Sequence, residues 1–541
     1  MKRLLFLISL PMALSVNGQH QTDTFSFPHI DGILPYTVEI NEVSLDPAPL
    51  PNIHSIAAAE WDGQWVFMAG RTNGLHGLTG MNAFDPAFEN RKIWVVDPRG
   101  KESWSKSIET SAASGLTQDV VDSLSSVNTQ FYQDGPHWLI VGGYGFKRSA
   151  GDHVTYDTLT ALDLPGLVDW VKAAPGEETT LAADHIEQIR SSFFQVTGGG
   201  LERIGDEYQL IFGQDYEGRY RPMLDGVYTK QIRRFQVDFI DGLSAPVGSR
   251  IRTAPQDAFR RRDLNVLTIL ERSGIGSFEE RAVALSGVFT LDTGVWTAPV
   301  IVGPEGSFVM DDPEAENSLK QGFQVYHCSK ASLFNRVTDE AHMLLFGGLT
   351  VLERDLDSGA YTQDDQVPFT NQCSVVVRDA GGRFQQYWLP TRFPEILLDG
   401  KELRFGTNAE FFISNEAPKL HPKVIDLARI DEPTVIGHIL GGLVADAGNN
   451  GNTGSTGRVF EVTLIPGPPE GLAALAISRN PQWKLNWEPV PNRANLIETS
   501  TDLENWDEES APLTSSYVLP IEPIDEPRFY RRRSSEISRP D

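Results

Sequence analysis

The chain has 541 residues, of which 40% are hydrophobic and 10% aromatic, so it is long enough to bury a large core in about two to four domains. Its 73 acidic and 46 basic residues give a formal net charge of −27, which argues against a nucleic acid as partner because such binding needs a clustered basic patch. Short segments rich in Val, Ile, Phe, Tyr and Trp alternate with clusters of Gly, Pro, Asn and Asp. This pattern predicts an all-β protein.

The first 18 residues have the pattern of a secretory signal peptide. Lys2 and Arg3 precede an apolar run over 4–14, and small residues follow up to Gly18. The run is shorter than the roughly 20 apolar residues that a membrane span needs, and no other segment is long enough. We predict cleavage near Gly18, export to the periplasm, outer cell surface or medium, and no transmembrane segment.

An apolar strand that ends in small residues recurs along the chain. It occurs as WVFMAG (65–70), WLIVGG (138–143), YQLIFG (208–213), VALSG (283–287), MLLFGG (343–348) and VIGHILGG (435–442). Around the first copy, the segments 54–63, 64–70, 92–98 and 103–108 predict four antiparallel strands, which make one propeller blade. Six copies therefore predict a six-bladed β-propeller over residues 19–466, with insertions in its blades.

The early strand 36–45 has no partners of its own, and after VIGHILGG only one further strand, 458–466, precedes a linker. We predict that 36–45 completes the sixth blade, because this closes the ring and leaves no open sheet edge. The two cysteines, Cys328 and Cys373, fall on the first and third strands of one predicted sheet. Such strands lie ~10 Å apart, beyond the ~7 Å limit of a disulfide, so two free thiols are expected.

The end of the chain has a different composition from the ring. Residues 467–471 continue a Pro- and Gly-rich linker, and the short alternating segments within 472–535 predict a small β-sandwich.

In a four-stranded blade, the residues before the first strand and those after the second strand emerge on the same face. Polar and aromatic residues at these positions should gather at one mouth of the central channel. The predicted ligand-binding set is Arg71, Asn73, His76, Asn128, Tyr144, Gln214, Tyr220, Arg262, Asp263, Asn265 and Tyr326.

Each of these residues has a structural alternative. Arg71, Arg262 and Asp263 are equally consistent with an ion-pair network between blades. Asn73 and Asn128 suit turn caps, since Asn beside Gly commonly bonds to the backbone, and Tyr144 and Tyr326 suit packing.

The stretches GRTNGLHG, VNTQFYQDG, VGGYG, RRDLNV, LSGVFT, QVYHCS, LLFGGL and VPF resemble a family of exported kelch-type propellers of Bacteroidetes-like bacteria, whose members have no assigned function. The likeness spans roughly residues 30–466. The segments STDLENW (500–506) and FYR (529–531) are similar to short accessory β-domains of exported bacterial proteins. Neither resemblance implies a catalytic residue.

No complete catalytic or metal-binding constellation is found in the sequence. Sialidase Asp-box repeats are missing, and the adjacent Tyr326 and His327 should point to opposite faces and so not share a copper ion. We therefore predict an exported, monomeric, non-enzymatic binding or scaffold protein without a cofactor or metal, which recognises a carbohydrate or protein at one mouth. The alternatives are a sugar-acid mutarotase or lyase using the same mouth, and a structural envelope protein.

Overall fold

The computed structural model describes residues 25–30, 34–75, 83–221, 224–274, 276–291 and 294–467, together with six strands between residues 476 and 536. The predicted signal peptide, His76 and residues 468–471 of the predicted linker lie outside this part. Among the described residues, no helix combines the length and the apolarity needed to cross a membrane.

Six antiparallel sheets form a six-bladed β-propeller, which confirms the predicted all-β class and blade number. From the inner to the outer edge, the strands of blade 1 are Ala57–Trp61, Gln64–Met68, Lys92–Asp97 and Glu102–Ser107, and those of blade 2 are Gln130–Asp134, His137–Val141, Thr158–Asp163 and Ile186–Arg190. In the same order, those of blade 3 are Gly200–Ile204, Glu207–Ile211, Ile232–Phe235 and Ile251–Arg252, and those of blade 4 are Asn265–Gly274, Ser277–Leu285, Val300–Val302 and Phe308–Met310. Those of blade 5 are Ser329–Asn335, Glu340–Leu349, Phe369–Arg378 and Phe384–Arg392, and those of blade 6 are Glu410–Ile413, Thr434–Leu440, Val459–Pro466 and Tyr36–Val43.

The sixth blade combines strands from both ends of the ring. Tyr36–Val43 pairs antiparallel with Val459–Pro466 over its whole length, from Tyr36 opposite Pro466 to Val43 opposite Val459. Its side chains alternate between buried and exposed, and Tyr36, Val38 and Ile40 enter the core. The first strand of the ring thus occupies the outer edge of the last blade.

Blade 5 carries three additional strands. His29–Ile30 pairs with its outer strand, and the hairpin of Lys419–His421 and Val424–Asp426 pairs with its inner strand. The hairpin belongs to the connection between the first two strands of blade 6, and it joins Ser329–Asn335 in parallel. It therefore reaches inside the ring, which the sequence did not predict.

The remaining elements are short and lie mostly in the connections. The helices are Gln118–Leu124 and Leu164–Lys172, and the 3₁₀ turns are Pro86–Phe88, Ala182–His185, Val247–Ser249, Asp257–Phe259, Pro304–Gly306 and Leu427–Arg429. Five pairs of short strands complete the set: Tyr144–Lys147 with Asp152–Thr155, Gln214–Asp215 with Val227–Tyr228, Leu352–Arg354 with Tyr361–Gln363, Leu397–Leu398 with Lys401–Glu402, and Leu443–Ala445 with Thr453–Ser455.

The hydrophobic core is divided among the six interfaces between neighbouring blades. Trp138 and Ile140 of blade 2, for example, are buried in one cluster with Val66 and Val95 of blade 1. Cys328 and Cys373 are both buried and free, which confirms the predicted pair of unlinked thiols.

The small residues at the end of each second strand, or just after it, let neighbouring backbones touch. The amide nitrogens of Gly70, Gly143, Gly213, Gly287, Gly348 and Gly442 each donate to a carbonyl just before the inner strand of the next blade: those of Ser126, Val196, Arg261, Val325, Phe405 and Ile53, at 2.8–3.2 Å. Gly70 has φ +80°, and a Cβ there would lie 2.3 Å from the His54 carbonyl oxygen. This close approach explains why the steps consist of small residues.

A second set of backbone bonds surrounds the channel, and we call its members the inner ring: Ser55, Asn128, Gly198, Asp263, His327 and Asn408. Each member stands two residues before the inner strand of its blade. Five backbone amides each donate to the carbonyl of the ring member in the preceding blade, at 2.7–3.1 Å: those of Gly198, Asp263, His327, Asn408 and Ser55. Asn128, Asp263 and Asn408 have left-handed φ values of +49°, +50° and +51°. Asn and Asp tolerate this conformation better than most residues, so the backbone explains their positions.

The end of the chain contains two three-stranded antiparallel sheets. Ala476–Arg479, Trp483–Asn486 and Ser516–Val518 form one, and Arg493–Ser500, Asp507–Glu508 and Phe529–Glu536 form the other. The predicted FYR segment begins the last strand. That these sheets pack as a separate sandwich stays a prediction.

Candidate functional site

The residues chosen from the sequence lie around the upper face of the ring, which we define as the face where the inner strands begin. Single β-bridges join His54 to Arg71, Val127 to Tyr144 and Thr197 to Gln214. The residues after the second strands are therefore held beside those before the inner strands. The structure places ten of the eleven predicted residues here or in the adjoining blade interface, and His76 lies outside the described residues.

Arg71 is tied into the loops of blade 1. It is only 2% exposed, its Nε donates to Asn73 Oδ1 at 3.1 Å, and its Nη2 donates to the Asp85 carbonyl at 2.8 Å. Its guanidinium lies over the Phe84 ring at 5.3 Å, and burial lowers its pKa to about 10. Arg71 and Asn73 thus stabilise a loop rather than facing an open mouth.

Tyr144 and Tyr220 belong to an aromatic cluster next to Arg71. The Phe84 ring lies 5.0 Å from Tyr144 and 5.7 Å from Tyr220, centroid to centroid. The Tyr144 hydroxyl donates to the Gly218 carbonyl at 2.7 Å and accepts from the Tyr220 amide at 2.8 Å. Tyr144 is buried, so its hydroxyl fixes the loop that carries Tyr220.

Arg262 is the centre of a second polar cluster. It is 5% exposed, its Nη1 donates to Gln214 Oε1 at 2.7 Å, and its Nε lies 3.4 Å from Asp263 Oδ2. Asp263 also accepts from Asn128 Nδ2 at 3.1 Å and from the Tyr326 hydroxyl. Five of the predicted residues therefore form one network.

The network keeps its charges away from water. Burial raises the pKa of Asp263, and the neighbouring Arg262 works against that rise. Burial, followed by the charge of Asp263, raises the pKa of Tyr326. Asn265 faces elsewhere: it is fully buried, donates to the carbonyls of Gln324 and Tyr326, and accepts from the Cys328 amide.

We expect Arg262→Met to destabilise the protein by about 3 kcal/mol or more, because it leaves Asp263 as a buried carboxylate without its main partner. Arg221→Met, at an exposed arginine on the same face, should change stability by about 0.5 kcal/mol or less. Thermal unfolding of both variants measures the difference. An unchanged melting temperature for Arg262→Met together with lost ligand binding would instead favour a ligand-contacting role.

The central channel forms a cavity with a volume of about 1000 Å³. Its lining begins at the inner ring, with His327 itself and with Thr129, Gly199 and Leu264, which each follow a member of the ring. It continues to the turns that follow the inner strands. Gly135 and Gly205 in these turns are exposed, so the channel reaches solvent at the lower face. Residues from all six blades and the inserted hairpin line it.

Charged side chains from many blades meet in the channel. The acidic ones are Glu60, Asp134, Glu202, Glu280 and Glu410, and the basic ones are Arg203, Lys330, Lys419 and Lys423. The residues Phe131, Tyr132, Phe411 and Phe412 also belong to the lining, while their side chains pack in the cores between the blades. In the described ranges, no group of three or more His, Cys, Asp or Glu side chains is placed to hold a metal ion.

Several charges are paired along the wall. The Lys423 ammonium, from the inserted hairpin, lies 2.6 Å and 2.7 Å from the two carboxylate oxygens of Glu202. Thr268 Oγ1 donates to the same carboxylate at 2.7 Å. Arg203 binds both oxygens of Asp134 at 2.8 Å and 2.9 Å. These pairs hold the hairpin and the inner strands of blades 2 and 3 in place.

A different group lies where the channel meets the inner ring. Lys330 Nζ is 2.9 Å from His327 Nε2, and Glu410 Oε1 is 3.7 Å from the same nitrogen. Burial raises the pKa of Glu410 to about 7, against the pull of Lys330 and Lys423. Burial, followed by the charge of Lys330, lowers the pKa of His327 well below its usual value. The group therefore places a lysine beside a neutral imidazole and a carboxyl whose pKa burial has raised.

The sequence analysis predicted a site at one mouth of the channel, but its eleven residues do not include those that line the cavity. The signal that could have found it is a charge within a short apolar inner strand, as in AAAEW (57–61), GLERI (200–204) and EFFI (410–413). Such a charge must face either solvent or a polar cavity, because an unpaired charge in the core is too costly.

Comparisons with known proteins define no family. No protein-family model matches the chain, and no curated protein matches it either. A solved structure named "Structure of YjhT" aligns with 78% of this chain and 100% of its own, at 8% sequence identity and a TM-score of 0.38. The six-bladed ring rests on the strand pairing described above, and the resemblance to kelch-type proteins stays a prediction.

Proposed function

We propose that this propeller is a binding protein that takes a carbohydrate or a similarly polar small molecule into its central channel from the lower face. One observation supports the proposal most: a cavity of about 1000 Å³ whose lining brings together charged side chains of several blades and includes aromatic residues of the inner strands. A few placed polar groups on an otherwise rigid, partly apolar wall are typical of ligand pockets. Sugars suit such walls because they stack on rings and bond to charged groups.

The upper face supports the proposal less well, although it was the site predicted from the sequence. Arg71, Tyr144, Gln214, Arg262 and Asn265 are buried and bonded to neighbouring protein groups. The structural alternative accounts for these contacts, because polar atoms in buried loops need partners. A protein partner on this face is therefore the less favoured form of the binding hypothesis.

A glycan-array screen of the full chain tests the proposal, with Ala58→Trp as the decisive variant. Ala58 is half-buried in the inner strand of blade 1 and lines the channel, so an indole there should occupy it without removing a charge. We expect at least a tenfold loss of affinity for any retained sugar, worth roughly 1.4 kcal/mol. Ala113→Trp, in an exposed loop, is the control. Undiminished binding by a folded Ala58→Trp variant would exclude the channel.

An acid–base enzyme acting on a sugar acid is a second candidate function. The observation that favours it is Glu410, because burial raises its pKa to about 7. A general acid or base works best when its pKa is close to the pH at which the enzyme works. Incubating each retained sugar with the protein and following it by NMR distinguishes the two: an unchanged ligand indicates binding only, and conversion indicates catalysis.

Export, removal of residues 1–18 and a monomeric state remain predictions from the sequence.

A further inference from the structure

The charges of the channel differ in how they are neutralised. Lys423 and Arg203 have carboxylate partners at 2.6–2.9 Å. Among the residues that the structure describes, no carboxylate oxygen lies within 4.0 Å of the Lys330 ammonium, and its hydrogen-bond partner is the imidazole of His327. With its pKa lowered by burial, His327 is neutral near pH 7 and brings no charge of its own.

An ammonium without a counter-ion is costly in a partly desolvated cavity unless something compensates it. Glu410 is the nearest carboxyl of the cluster, but it lies beyond direct contact with Lys330 and is close to half ionised near neutral pH. Among the described channel residues, Lys330 is therefore a basic position without a carboxylate in direct contact, as is Lys419 on the inserted hairpin, whereas Lys423 and Arg203 are paired.

We propose that Lys330 binds an anionic group of the ligand, so that the protein selects a carboxylated sugar over its neutral counterpart. This inference rests on the proposed function of the channel. A carboxylate on Lys330 forms a charge-assisted hydrogen bond, the stronger class of such bonds. The aromatic and polar residues of the channel wall then contact the rest of the sugar.

Glu410 gives the proposed site a pH dependence. Below pH 7 its carboxyl is mostly neutral and can donate a hydrogen bond to the ligand, whereas above pH 7 its negative charge repels an anion. The charged or titratable groups around it are His327 and Lys330 of blade 5, Lys423 of the inserted hairpin and Glu60 on the neighbouring inner strand of blade 1. Burial lowers the pKa of His327 well below its usual value and keeps its imidazole neutral in this range.

The test measures affinity of the full chain for two matched pairs, glucuronate with glucose and galacturonate with galactose, at pH 6 and pH 8. We expect the acid of at least one pair to bind tenfold or more tighter at pH 6, and this preference to fall about tenfold at pH 8. Lys330→Met should abolish the preference and Lys330→Arg should restore much of it. Lys92→Met removes the same charge outside the channel and should leave the preference unchanged.

Each outcome decides between the proposals. Equal affinity for acid and neutral sugar, or a preference that survives Lys330→Met, overturns this inference while leaving the channel as a sugar site. Binding of no sugar contradicts the proposed function itself. If Lys330→Met does not fold, Glu410→Gln still decides: it should keep the preference for the acid at pH 8, and a preference that still falls with pH contradicts the site.

Discussion

Val38→Asp should lower the stability of the ring by about 3–5 kcal/mol, because it places an unpaired charge in the core of the sixth blade. Val38 is 4% exposed and lies on the strand that joins the first part of the ring to the last. Weakening this strand frees the edge of Val459–Pro466 and opens the circle. Thermal unfolding followed by tryptophan fluorescence measures the effect.

Thr37→Asp provides the control for this variant. Thr37 is the neighbour of Val38 in the same strand but is exposed, since alternate residues point to opposite faces. We expect a cost of about 1 kcal/mol or less there. Similar melting temperatures for the two variants would contradict closure of the ring by this strand.

Gly142→Ala is the second change with a large expected effect, at about 3 kcal/mol or more. Gly142 has φ +61°, and a Cβ would lie 2.0 Å from the carbonyl oxygen of Val196. That same oxygen accepts the hydrogen bond from Gly143, so the clash disturbs the contact between blades 2 and 3. Chemical or thermal unfolding would show a lower midpoint.

Gly151→Ala separates backbone strain from steric clash. Gly151 has a similar φ of +69°, but nothing lies within 4 Å of the position of its Cβ. Its substitution should cost about 1–2 kcal/mol, the strain of a left-handed alanine alone. Equal losses for the two glycines would show that close packing between the blades contributes little.

The sequence predicts the ring well because the repeated strand has two strong local signals. An apolar run predicts a buried second strand, and the small residues after it predict a close backbone contact, as found for Gly70 and Gly442. The closing strand could be predicted from the same logic, since a blade lacking one strand leaves an exposed edge. The inserted hairpin Lys419–Asp426 could not, because its parallel pairing with blade 5 depends on contacts far apart in the chain.

The candidate site was harder to predict than the fold. Polar residues such as Arg71 and Arg262 were expected at a mouth, and they do lie on the upper face, but the loops bury them. Whether a polar residue in a loop faces solvent depends on the insertions that cover it, which local sequence does not show. In the sequence, Lys330 and Glu410 are each a single charged residue in an apolar strand. Only the circular arrangement of the blades brings both of them to the same channel.

Because one edge of the sixth blade comes from the start of the ring and its other strands from the end, the order of synthesis constrains assembly. Blades 1 to 5 have their four main strands before residue 393, yet Tyr36–Val43 has no strand partner until Val459–Pro466 has been made. During that time the earliest strand is an unsatisfied edge, open to wrong pairing with another chain. The circle therefore cannot close before this last strand has been made, and any factor that shields Tyr36–Val43 until then should raise the yield of correctly assembled protein.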